Sequence, residues 1–84
     1  MNSKQSRVLN AVFSDPVSGS IAWVDIESLL KAAGAHVIEG AGSAVRFEKG
    51  GVVGRFHRPH PAKDAKRYQV RDAREFLIQI GVTP

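Results

Sequence analysis

The chain has 84 residues, 43% of them hydrophobic, a formal net charge of +4 and no cysteine. This length suits a single domain spanning residues 1–84, and the lack of cysteine excludes disulfides and thiolate metal sites. No apolar run reaches the roughly 18–20 residues that span a bilayer, and no signal-peptide pattern opens the chain, so we expect a cytoplasmic protein without membrane contact.

The charge is distributed unevenly along the chain. Residues 1–42 carry a net charge of −1, whereas residues 43–84 hold nine Lys and Arg against four acidic residues, a net charge of +5. Such asymmetry indicates a polyanionic partner on one side of the fold. A basic surface that serves only solubility is the alternative.

Apolar spacing predicts two helices in the first half of the chain. The first spans residues 3–14 and ends before Asp15-Pro16, because the residue preceding a proline disfavours helical backbone. The second spans residues 23–33 and ends at Gly34, which suits the left-handed backbone at a helix C-terminus. The residues that we expect to face the core are Val8, Leu9, Val12 and Phe13 in the first helix and Trp23, Ile26, Leu29, Leu30 and Ala33 in the second.

Three short strands and a last helix follow. We predict the strands at residues 36–39, 44–48 and 52–57, and the helix at residues 68–80. The order α-α-β-β-β-α predicts an α+β fold in which the helices cover one face of a three-stranded antiparallel sheet.

The pair Gly50-Gly51 predicts a two-residue hairpin turn and thereby a register for the second and third strands. In that register Arg46 lies opposite Arg55, and Ala44 lies opposite His57. Since side chains alternate, the large apolar residues all fall on the core face, which supports the register. The core face holds Val45, Phe47 and Phe56, and the open face holds Ala44, Arg46, Glu48, Val53, Arg55 and His57.

The facing arginines suggest a phosphate site. Like charges directly opposite each other destabilise a sheet, and Glu48, diagonal to Arg55, relieves this only in part. Two guanidinium groups side by side are nevertheless well suited to holding a phosphate, because each offers a planar fork of donors.

The segment "FHRPHP" at 56–61 adds acid–base chemistry beside these arginines. Histidine is the side chain suited to proton transfer near neutral pH. RNA supplies its own nucleophile, the ribose 2′-OH, so cleavage needs a base, a cation for the phosphate oxygens and an acid for the leaving oxygen. The spacing of His57 and His60 also suits zinc, but the surrounding cations and the lack of cysteine disfavour a metal. An ordinary surface role for these histidines is the remaining alternative.

The chain as a whole resembles HicA-type toxins, the RNA-cutting half of HicA–HicB toxin–antitoxin pairs. The resemblance rests on "VDIESLLKAAGA" running into "HVIEG", on "GS" before a strand containing Phe47, on "HRPHP", and on "VRDAREFLIQIGV". It covers residues 20–83, with helix 3–14 as an N-terminal extension. It implies a double-stranded-RNA-binding-like α-β-β-β-α fold, metal-independent mRNA cleavage without cofactor, and neutralisation by a HicB-type antitoxin.

One position departs from the family pattern. The family places its catalytic histidine after a Gly-Ser/Thr turn, and here Gly42-Ser43 is followed by Ala44. Three explanations of Ala44 are open. The protein is an inactive RNA-binding relative, Ala44 is an inactivating substitution, or the catalytic base has moved to another residue. Because His57 lies across from Ala44, we hypothesise that His57 replaces the missing histidine, with His60 as second acid–base group or phosphate ligand.

The residues that we predict to contact RNA are Ser43, Arg46, Arg55, Arg58, Lys63, Lys66 and Arg67. Two rival functions remain: a non-catalytic nucleic-acid-binding module on the same face, and a protein-interaction domain whose basic face docks an acidic partner.

Overall fold

The computed structural model describes all 84 residues. Its elements are the helices α1 (Ser3–Val12), α2 (Trp23–Ala32) and α3 (Arg67–Gln79) and the strands β1 (His36–Glu39), β2 (Ala44–Lys49) and β3 (Val52–His57). The order α-α-β-β-β-α and the antiparallel sheet confirm the predicted α+β class and the double-stranded-RNA-binding-like arrangement. None of the three helices is both long enough and apolar enough to cross a membrane.

The sheet has the order β1-β2-β3, so that β2 is central and β3 is an edge strand. The hairpin register is the one predicted, with Arg46 paired to Arg55 and Ala44 paired to His57. Gly50 and Gly51 form the turn with φ values of 56° and 83°, a backbone region that glycine reaches without the steric cost that a Cβ imposes.

The core lies between one face of the sheet and the three helices. Seventeen buried hydrophobic residues form a single cluster, in which the side chains of Val45, Phe47 and Phe56 project from the sheet. The rings of Trp23 and Phe56 lie 5.3 Å apart, centroid to centroid, so the start of α2 packs against the end of β3. This contact fixes the helix layer relative to the strand that ends in His57.

The first helix is shorter than predicted, and an arginine of α3 caps its end. It stops at Val12 rather than at residue 14. The guanidinium of Arg74 on α3 donates to the Val12 carbonyl at 2.9 Å and to the Ser14 carbonyl at 2.8 Å. These bonds satisfy carbonyl groups that a helix end leaves without partners. The ends of α2, β2 and α3 differ from the predicted limits by one residue each.

A lysine from the sheet supports the end of α2. Gly34 follows the helix with φ 99°, and the Ala35 N–H donates to the Leu30 carbonyl at 3.1 Å, as in a Schellman C-terminus. The Lys49 ammonium at the end of β2 donates to the Ala33 carbonyl at 2.8 Å. A cation at this end of a helix is favourable because the carbonyl groups there carry partial negative charge.

Candidate functional site

The open face of the sheet brings together three of the predicted site residues. Arg46, Arg55 and His57 are exposed there, while Val45 and Phe56, their neighbours in sequence, are buried on the opposite face. The Arg58 N–H donates to the Ser43 carbonyl at 2.9 Å, which marks these two residues as a hydrogen-bonded pair of the ladder. The pairs Ala44–His57 and Arg46–Arg55 are therefore of the non-hydrogen-bonded kind, in which side chains approach most closely.

His57 contacts the residue that precedes Ala44. The Ser43 hydroxyl lies 3.2 Å from His57 Nδ1, so a hydrogen bond joins the Gly-Ser turn to the ring. Gly42 enters this turn with φ 59°, and the Ala44 N–H closes it on the Ala41 carbonyl at 3.1 Å. The contact uses Nδ1 and leaves Nε2 for another partner. The histidine ring is thus held at the place in the register where Ala44 offers only a methyl group.

Arg46 and Arg55 carry charges without ionic partners. The ion pairs of the protein involve Lys4, Arg58 and Arg74 instead. Glu48, which we expected to relieve the repulsion between the two arginines, forms no ion pair with either of them. Two unpaired guanidinium groups directly opposite each other present donors that suit a phosphate group.

Arg58 lies on the other side of the sheet from His57. Its guanidinium donates to Glu27 on α2 at 2.7 and 3.1 Å and to Glu39 on β1 at 2.6 and 2.9 Å. Glu27 also accepts a short hydrogen bond from the Trp23 indole N–H. Arg58 therefore joins the end of β3 to α2 and β1, and these bonds occupy four of its five N–H donors.

The pKa values of these groups reflect the pairing. Burial works to raise the pKa of Glu27, but the hydrogen bonds from Arg58 and Trp23 outweigh it, and the pKa lies below its ordinary value. The hydrogen bond from Arg58 likewise lowers the pKa of Glu39. In turn the two carboxylates, Glu39 first, raise the pKa of Arg58. All three groups are charged at neutral pH.

The remaining predicted site residues lie in or after the segment 58–66. His60, Lys63 and Lys66 are exposed, and none of their side chains makes an ion pair. The Lys63 carbonyl accepts from the Trp23 N–H at 2.9 Å, and the Ala65 N–H donates to the Ile21 carbonyl at 2.8 Å. These bonds anchor the second half of the segment beside the start of α2.

Arg67, the last of the predicted RNA-binding residues, is held by a different part of the protein. Its Nε donates to the Val17 carbonyl at 3.3 Å, and its guanidinium packs over Gly19. The structure thus ties Arg67 to the loop between α1 and α2, whereas Ser43, Arg46, Arg55 and His57 form one cluster on the sheet.

Sequence reasoning missed three residues that support the site: Glu27, Glu39 and Gln69. Gln69 is buried, and its side chain donates to the His57 carbonyl at 2.6 Å. Strand alternation could have placed Arg58 on the helix side, since it follows His57 directly. No local signal identifies Glu27 or Gln69, because their partners lie 31 and 12 residues away along the chain.

The comparisons with known proteins place the chain in a family. The model of the family described as "HicA toxin of bacterial toxin-antitoxin" matches residues 23–82, from the start of α2 to beyond the end of α3, and leaves α1 outside. Comparison with curated proteins and with solved structures gives no match. The family match covers well over half of the chain. It contains the whole sheet, the cluster of Ser43, Arg46, Arg55 and His57, and the ion pairs of Arg58. The chain therefore belongs to the HicA toxin family of bacterial toxin–antitoxin systems.

Proposed function

We propose that this toxin is a metal-independent mRNA endoribonuclease that acts in the cytoplasm and is neutralised by a HicB-type antitoxin. The observation that carries the proposal is the position of His57, which lies opposite Ala44 and within 3.2 Å of the Ser43 hydroxyl. We infer that His57 supplies the acid–base group that a histidine at position 44 would have provided.

In the proposed reaction, the ribose 2′-oxygen attacks the adjacent phosphorus and forms a new P–O bond, while the bond from phosphorus to the 5′-oxygen breaks. His57 accepts the 2′-OH proton. Arg46 and Arg55 bind the phosphate oxygens, where negative charge grows in the transition state. His60 donates a proton to the leaving 5′-oxygen, or it binds the phosphate while water supplies that proton. No step requires a cofactor.

The wider RNA surface combines the open face with the segment after it. Ser43 belongs to the cluster on the open face, Lys63 lies in the segment 58–66 that follows it, and Lys66 directly precedes α3. The excess of positive charge in residues 43–84 supports a polyanionic ligand. We propose that Arg58 contributes mainly by supporting the end of β3, because its donors are held by Glu27 and Glu39. Arg67 contacts RNA only if the ligand reaches the loop at Val17.

Ala44 also favours a second candidate function. An alanine cannot accept a proton, so a scaffold that has lost its base would still bind RNA through Arg46 and Arg55. Such a protein would be a non-catalytic RNA-binding relative. Its binding would weaken steeply with salt in the same way, because both candidates hold the phosphate backbone.

The test is incubation of the antitoxin-free protein with a long unstructured RNA in EDTA. The parent is compared with His57→Ala, His60→Ala and Ala44→His. His36→Ala is the matched control, since His36 is an exposed histidine at the far end of the sheet, paired with Glu48.

Cleavage by the parent and by His36→Ala, lost in His57→Ala, is the expected result. Cleavage that survives His57→Ala would contradict the relocated base. No cleavage by the parent, with cleavage gained in Ala44→His, would establish the RNA-binding alternative.

A further inference from the structure

We propose that Gln69 is a positioning residue that holds His57 and the segment 58–66 in place for the proposed reaction. The inference rests on the proposed function, but its structural part is testable without RNA cleavage. Gln69 is 2% exposed and is the single polar residue among the buried residues of the protein. A buried amide is stable only where its polar atoms find partners.

Both ends of the Gln69 amide are bonded. Nε2 donates to the His57 carbonyl at 2.6 Å, and Oε1 accepts from the Lys66 N–H at 3.0 Å. One partner is an acceptor and the other a donor, so only this orientation of the amide satisfies both. A single side chain therefore bridges the last residue of β3 and the residue before α3.

The bond from Gln69 gives the His57 carbonyl a partner that the sheet does not supply. His57 belongs to a non-hydrogen-bonded pair, so its carbonyl points away from β2, and β3 has no further strand beside it. Without Gln69 this carbonyl would lack a protein partner, and only the contacts of Ser43 and Arg58 would hold the end of β3. The Gln69 bond fixes the backbone of His57, while the Ser43 hydroxyl at 3.2 Å fixes its ring.

The bond to Lys66 closes the segment that carries His60 and Lys63. The two ends of this segment are held together by one amide, so a shift at Lys66 would be transmitted to His57. The second half of the segment is anchored independently by bonds to Ile21 and Trp23, whereas its first half, with His60, depends on the Arg58 and Gln69 contacts. Loss of Gln69 should therefore displace the two histidines relative to each other.

The test compares Gln69→Met, which keeps an unbranched side chain and loses both hydrogen bonds, with Ile26→Val, which removes a methyl group from the buried core and no hydrogen bond. Both are assayed well below their melting temperatures. We expect Gln69→Met to lower kcat for RNA cleavage by about 10- to 100-fold with little change in KM, because misplaced catalytic groups slow the chemical step. Ile26→Val should cleave at the parental rate.

Two further measurements do not depend on cleavage. In Gln69→Met, the amide of Arg58 should exchange with solvent faster than in Ile26→Val, and the ring nitrogen resonances of His57 should report loss of the Ser43 hydrogen bond. If neither the parent nor the variants cleave RNA but these changes occur, the nuclease proposal fails, and the structural role of Gln69 in holding His57 and the segment 58–66 stands. If exchange and ring resonances match those of Ile26→Val, the positioning role is overturned, whatever the cleavage result.

Discussion

His57 and Arg58 are consecutive residues whose side chains lie on opposite sides of the sheet. His57 lies on the open face, within 3.2 Å of the Ser43 hydroxyl, and Arg58 reaches back to Glu27 and Glu39 on the helix side. Because side chains alternate along a β-strand, these two neighbours serve different faces. The open face receives the proposed acid–base group, and the helix side receives the ion pairs that hold the end of β3.

The Arg58–Glu27 pair should contribute measurably to stability. The Glu27 side chain is 13% exposed and that of Arg58 is 32% exposed, so the pair is shielded from water far more than an ordinary surface ion pair. We expect Arg58→Met to lower the free energy of unfolding by about 2 kcal/mol, since hydrogen bonds to charged groups are stronger than neutral ones and Glu27 would lose its main partner. Urea denaturation measures this change.

A double-mutant cycle isolates the interaction. Glu27→Gln in the Arg58→Met background should cost much less than in the parent, because the charge that it removes no longer has a cationic partner. Additive effects of the two substitutions would show that Arg58 stabilises the fold through Glu39 or through packing instead.

Acid should weaken the ion pairs that Arg58 forms with Glu27 and Glu39. The pKa values of Glu27 and Glu39 both lie below their ordinary value of 4.5, so both carboxylates bind fewer protons in the folded than in the unfolded state. Their contribution to stability is therefore complete above pH 4.5 and is lost as the pH falls through the folded-state pKa values. Thermal melts from neutral pH downward should show this decline, and Glu27→Gln should make it shallower. An unchanged slope in that variant would contradict the assigned role of Glu27.

Arg74 of α3 should stabilise the N-terminal helix α1 by direct contact. It is bonded to the carbonyls of Val12 and Ser14 and to the Asp15 carboxylate, with its guanidinium 5.8 Å from the centre of the Phe13 ring. We expect Arg74→Met to lower the free energy of unfolding by about 1–2 kcal/mol, because the half-buried bond to the Val12 carbonyl and the bond to the Ser14 carbonyl are both lost. Arg71 provides the matched control on the same helix.

Arg71 is exposed and makes no ion pair, so Arg71→Met should change stability by less than about 0.5 kcal/mol. Amide exchange in α1 should increase in Arg74→Met and stay unchanged in Arg71→Met. Equal effects of the two substitutions would mean that charge alone, and not the contact with α1, accounts for the change.

RNA binding should depend on the facing arginines through salt-sensitive contacts. We expect Arg46→Ala and Arg55→Ala each to reduce the slope of log K against log salt by about 1, since each removes one of the proposed phosphate contacts. Fluorescence anisotropy with a labelled single-stranded RNA, titrated at several salt concentrations, measures the slope. Arg71→Ala should leave it unchanged, and an equal loss there would indicate diffuse attraction by net charge rather than a site on the open face.

Much of the fold could be predicted from local patterns. The pair Gly50-Gly51 set the turn, and the turn together with side-chain alternation set the register of β2 and β3, because a shift of one residue would move Val45, Phe47 and Phe56 out of the core. The same alternation placed Arg46, Arg55 and His57 on one face. These predictions needed only neighbouring residues and the period of a strand.

The remaining features depend on contacts between residues far apart along the chain. The end of α1 is capped by Arg74, and the ion pairs of Arg58 depend on the packing of α2 and β1 beside the end of β3. The sequence by itself determined the element order, the hairpin register and the residues of the open face, since each follows from local backbone preference. Only the tertiary structure decided that Arg58 faces the helices and that Gln69 holds His57, because hydrogen bonds between distant residues form only when the core has brought them together.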